Sequence, residues 1–172
     1  MDSFKHDVPT AGAGQANFQQ CWYASFGMIY KFHNLPVASI DDKLSGAGID
    51  VPDAKATGLT DREYKKSAEA LGLTAFSSVP FKKTSVLDFD VSSGATAFIT
   101  ELKKGPLWVS RYVGPGSYHA TVATGYSDDG KGYIIFNNPF PGPTNAKEDS
   151  SMTATVFVKH ITDARGSVIG RR

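Results

Sequence analysis

The chain has one cysteine, no long apolar run and almost no net charge, and each shortage excludes something. A single thiol cannot close an internal disulfide, nor supply the two to four thiolates of a structural zinc site. No stretch comes near the ~18 apolar residues of a membrane-spanning helix. The first residues, Met1-Asp-Ser-Phe-Lys-His-Asp-Val-Pro9, lack the apolar core of a secretory signal. The expectation is a product made in the cytoplasm, or one exported by a route that reads no such signal. Eighteen Lys and Arg stand against seventeen Asp and Glu, and the net charge of +1 gives no field to gather nucleic acid or an anionic membrane. No repeat, low-complexity tract or metal-ligand spacing stands out, so neither metal nor cofactor is expected.

What is present reads as one folded domain. The 172 residues are 41% apolar and 20% charged, enough to bury a core. From Cys21 the pattern turns helical: Trp22, Phe26, Ile29 and Tyr30 recur at three- and four-residue spacing, and Asn34-Leu-Pro36 stops the run. A weaker helix is expected over about 39–45. Thr60 and Glu63 have the spacing of a capping box, with Leu59 and Tyr64 as its staple, and that helix should end at Leu71-Gly72. A strand-like stretch follows over 73–81, then a polar segment, then a helix near 96–103. Beyond Gly105-Pro106 the periodicity becomes that of strands, over 107–113, 118–126, 133–136 and 152–158, with Asp128-Asp129-Gly130 as a hairpin turn. The residues from 166 to 172 read as a loose polar tail. The layout is α+β: a helical lobe over about 15–104 against an antiparallel β lobe over about 105–162.

The lone cysteine lies where a nucleophile belongs. A helix N-terminus favours a thiolate through its oriented N–H groups, and Cys21 opens the first helix. Gln15, six residues upstream, could donate its side-chain amide to an oxyanion together with the Cys21 N–H. A base must come from elsewhere in the fold. Of four histidines, His6 is near the N-terminus, His160 precedes a charged tail, and His33 is roughly 18 Å along the same helix. His119 remains, at the start of the apolar strand Ala120-Thr-Val-Ala-Thr-Gly125 and after a Gly-Pro-Gly-Ser loop. Asn137 or Asn138, across the hairpin, could hold the imidazole in one tautomer, and Pro139 favours an extended Asn138. An imidazolium–thiolate pair is the expected resting state.

These residues carry a resemblance. Gln15-Ala-Asn-Phe-Gln-Gln-Cys21-Trp22 is similar to the papain-clan arrangement of an oxyanion glutamine six residues before a Cys-Trp helix start. The blocks Gly105-Pro-Leu-Trp-Val109, Tyr118-His-Ala-Thr-Val122 and Tyr133-Ile-Ile-Phe-Asn-Asn-Pro-Phe-Pro-Gly142 resemble the second half of compact bacterial members, the C39-like peptidases and AvrRpt2-type (C70) effector proteases. The likeness runs over about 8–142. It departs at Asn138-Pro139, where those relatives commonly have Asp-Pro. It implies a papain-like fold with a helical lobe on a β-barrel-like lobe and the cleft between them. It also implies a Cys21–His119–Asn138 triad with Gln15 in the oxyanion hole, in a monomeric, secreted bacterial effector or toxin. Such an effector would act on a protein or peptide, and an immunity or host protein could be its partner. The same triad also serves glutamine deamidases, transglutaminases and peptidoglycan amidases, and a non-enzymatic protein-binding effector domain is a further alternative.

Overall fold

The structure, a computed structural model, describes residues 1–12, 14–77, 81, 92–141, 146–164 and 166–171. Among the described residues six helices stand out: α1 (Cys21–Phe32), α2 (Ile40–Gly46), α3 (Val51–Thr57), α4 (Tyr64–Ala70), α5 (Ser92–Leu102) and α6 (Ala154–Lys159). The strands are β1 (Phe4–Lys5), β2 (Thr74–Phe76), β3 (Leu107–Gly114), β4 (Ser117–Ser127), β5 (Tyr133–Pro141), β6 (Ala146–Thr153) and β7 (Val168–Gly170).

The capping box forms: the Thr60 N–H donates to Glu63 Oε2 at 3.0 Å, a one-turn 3-10 helix leads into α4, and Gly72 closes it at φ +69°. Of the strand-like stretch 73–81, residues 74–76 are strand, whereas 78–80 and most of the polar segment that follows lie outside the described residues.

Three expectations need correction. The stretch 152–158 is not one strand: β6 ends at Thr153 and α6 begins at Ala154. Ala154, Phe157 and Val158 are its buried residues, a three-and-four spacing that a strand cannot satisfy. Nor are residues 166–171 a loose tail. Val168 and Ile169 are fully buried in β7, which pairs with β2 on one side and β3 on the other. Finally, the sheet is not a closed barrel. Its strand order is β2-β7-β3-β4-β5-β6, with β1 added to β4, and β2 and β6 are left at the ends.

Helices cover both faces of this antiparallel sheet. On one face α1 to α4 pack against Trp108, Ala120, Val122 and Ile169. On the other, α5 and α6 pack against Leu107, Val109, Ala123 and Val168. The alternation along β3 and β4 assigns each side chain to its core. The N-terminal strand lies so close over β4 that a Cβ on Gly125 would land on the Phe4 carbonyl oxygen. Gly125→Ala should therefore peel β1 away, and the fall in melting temperature measures it.

Candidate active site

Two tryptophans hold the first turn of α1. Trp22 donates its indole N–H to the Ala54 carbonyl at 3.1 Å, and Trp108 of β3 donates to the Trp22 carbonyl at 3.1 Å. Phe26, one turn on, stacks on Trp108 with centroids 5.2 Å apart. The helix start is therefore pinned to the sheet, with Cys21 as its first residue and 8% exposed. Asn17 caps the preceding 3-10 turn by accepting the Gln19 N–H at 2.9 Å. The backbone N–H of Ala120 points at the Cys21 Sγ, 3.4 Å away, which brings β4 and the thiol together one residue beyond His119.

His119 Nε2 lies 2.7 Å from Asn138 Oδ1. The same oxygen accepts the Phe140 backbone N–H at 3.1 Å, so it is an acceptor, and Nε2 must carry the proton. The lone pair then belongs to Nδ1. Asn137 is turned the other way. Its Nδ2 donates to the Val8 carbonyl at 3.3 Å and its Oδ1 accepts the Asp149 N–H at 3.4 Å, and at 3% exposed it ties the N-terminal segment to β5 and β6. Adjacent strand residues face opposite ways, so only one of the pair meets the imidazole.

Gln15 is 4% exposed. Its backbone N–H donates to the Pro139 carbonyl at 3.1 Å, which fastens its loop to the residue after Asn138. Its side-chain Nε2 gives one hydrogen to the Asn17 carbonyl at 3.1 Å and keeps a second. Cys21 and His119 share the wall of a cavity of about 400 Å³, bounded also by Trp22, Leu59, Tyr64 and Tyr118. A second hollow, bounded by Gln15, Phe18, His119, Asn138 and Phe140, adjoins it. The other histidines stand apart from this cleft: His6 Nε2 meets the Leu102 carbonyl at 2.7 Å, and His33 caps the far end of α1.

The whole of this arrangement lies within residues 2–161, the part of the chain matched by the family model of the papain-like cysteine protease AvrRpt2. The chain belongs to that family. It is a cysteine-type peptidase, a hydrolase. No curated protein matches the sequence.

The electrostatics of this AvrRpt2-family site differ from the expected ion pair. Burial pushes the Cys21 thiol up, against the N–H groups of Ala120, Trp22 and Cys21 that pull it down. Burial likewise pushes the His119 imidazole down; the bond to Asn138 opposes this and the Arg111 charge adds to it. Both shifts favour an uncharged thiol beside an uncharged imidazole in the free enzyme. The helix N-terminus alone suggested a lowered thiol, and desolvation outweighs it.

Several residues were not assigned to the peptidase's cleft from sequence. Phe18 and Phe140 are both exposed and stack at 5.3 Å across the second hollow. Tyr64 meets Ser110 through a 3.1 Å hydroxyl contact on the cleft floor. The capping box was a usable signal for part of this, since the turn that it fixes also supplies Leu59 and Thr60 to the cavity wall.

Proposed function

We propose that this peptidase cleaves peptide bonds with Cys21 as nucleophile, His119 as base and acid, and Asn138 as the group that orients the imidazole. The observation that carries the reading is the 2.7 Å His119–Asn138 bond, which leaves Nδ1 unprotonated on a ring that shares a cleft with the thiol. As substrate enters, Nδ1 takes the Sγ proton and the sulfur attacks the carbonyl carbon. The Cys21 N–H and the second Nε2 hydrogen of Gln15 are assigned to the developing oxyanion. The imidazolium then protonates the leaving amine, and water, deprotonated by His119, releases the acid and restores the thiol.

The test is a peptide library followed by mass spectrometry. New amine and acid termini without ammonia support hydrolysis, whereas ammonia release or isopeptide products would assign deamidation or transamidation. The exposed aromatic rim suits a polypeptide rather than a small ligand. The role of secreted bacterial effector, working as a monomer and met by a host or immunity protein, is part of the same proposal.

Two further outcomes follow from the geometry. Gln15→Ala should lower kcat by roughly 10- to 1,000-fold with little change in KM, because its bond strengthens only as charge develops. Steady-state kinetics separate the two, and an effect confined to KM would make Gln15 a substrate-binding residue. Because the thiol is pushed up, iodoacetamide should modify free Cys21 slowly at neutral pH, with a rate that climbs on the alkaline side of the ordinary thiol range. A rate already at its plateau in mild acid would restore the ion pair.

A further inference from the structure

Arg111 stands directly opposite His119 in the β3–β4 register. Directly opposed residues of an antiparallel pair project from the same face of the sheet, so the guanidinium lies on the His119 side. It is 4% exposed. Its carbon sits 4.5 Å from the centroid of Phe136 and 4.8 Å from that of Phe157, so two rings hold it in place. Its Nε donates to Thr121 Oγ1 at 3.3 Å, and Nη1 reaches the Met152 sulfur at 3.8 Å. Among the described residues it makes no ion pair, and burial lowers its pKa only to about 10, so it stays charged at neutral pH. A buried cation with no counter-ion among the described residues costs stability, and apolar replacements at such sites are often neutral or better. That cost marks the position as one where charge, rather than packing, matters.

Building on the assignment of His119 as base, we propose that Arg111 is a positioning residue whose fixed charge biases the imidazole toward the uncharged form that accepts the thiol proton. The groups that face His119 fit this. Helix α1 offers the Cys21 thiol, β5 the uncharged Asn138 amide, and β3 the Arg111 cation. Lys147 of β6, the register partner of Asn138, is exposed to solvent and screened. The imidazole is pushed down first by burial and, after the opposing Asn138 bond, by Arg111.

The experiment is an NMR pH titration of the His119 ring in Cys21→Ala protein, which needs no activity, beside the pH profile of kcat/KM in the active enzyme. Arg111→Met should move the His119 midpoint, and the acid limb of the profile, to higher pH. Activity in mild acid then falls several-fold while the alkaline plateau holds, and Arg111→Lys should keep the wild-type midpoint. Arg111→Gln, which retains a donor for Thr121, gives the same reading if the methionine variant does not fold. An unmoved midpoint in the folded neutral variant overturns the proposal, even if the plateau drops. Because the titration is independent of turnover, loss of the assigned triad chemistry would be seen separately, as an inactive protein whose His119 still responds to Arg111.

Discussion

Cys21→Ala is expected to give a folded protein with no measurable peptide hydrolysis. The chain has no other thiol to substitute for it. The side chain removed is one sulfur at the mouth of a cavity, and the framework around it does not depend on that sulfur. Trp22, Phe26 and Trp108 fix the helix start through two indole hydrogen bonds and a ring stack. Losing the sulfur frees the Ala120 N–H, which costs about 1 kcal/mol. A melting curve close to wild type together with complete loss of turnover is the expected pair of results. Full hydrolysis by the folded alanine variant would remove Cys21 from the chemistry and the triad with it.

The second large effect separates neighbouring asparagines. Asn138→Ala should lower kcat/KM by roughly one to three orders of magnitude, since the imidazole loses the acceptor that selects its tautomer while the nucleophile survives. Asn138→Asp should retain much of the activity, because a carboxylate accepts both the His119 Nε2–H and the Phe140 N–H. Its negative charge should also make His119 easier to protonate, so the acid limb should move to higher pH. Asn137→Ala should do the opposite, with near-normal kinetics and about 1–3 kcal/mol of stability lost from unpaired groups of Val8 and Asp149. A crippled Asn137 variant beside a near-normal Asn138 variant would transfer the orienting role to Asn137.

Much of the site was legible because its cues are local. Cys21 opens a helix, His119 comes just before the apolar run of a strand, and Asn138 precedes a proline; each is a property of a few neighbouring residues. The protonation state was not legible. Whether a thiol at a helix start is lowered or raised depends on how deeply it is buried, and the core that Cys21 joins draws residues from α1 to α4, β3 and β4. Arg111 was passed over for the same reason. Its burial depends on Phe136 and Phe157, which a later strand and helix bring over it. In the fold, α1 with its stop and α4 with its capping box emerged cleanly, but α3 was missed although Asp50 caps it and Gly58 ends it, and Ala154-Thr-Val-Phe-Val158 carries β-branched residues in a helix set by tertiary packing. Strand β6 was partly hidden by its polar composition, Ala-Lys-Glu-Asp-Ser-Ser-Met-Thr, which suits the end strand of a sheet.

Strand β7 has a consequence for the order of events during synthesis. Thr74 pairs with Gly170, about 96 residues further along the chain, and β2 reaches β3 only through β7. At about 5–20 residues per second, a ribosome spends roughly 5–20 s between making the first partner and the last. During that interval β2 is an unmated edge, and the cover that Ile169 gives to the α1 core is missing. The nascent enzyme can assemble its α1 helix early, but its sheet is completed only once residues 168–170 have been made. A ribosome that stalls before residue 168 should thus leave a protein with a formed cysteine helix and an unfinished sheet, suited to capture by chaperones rather than to cleaving its neighbours.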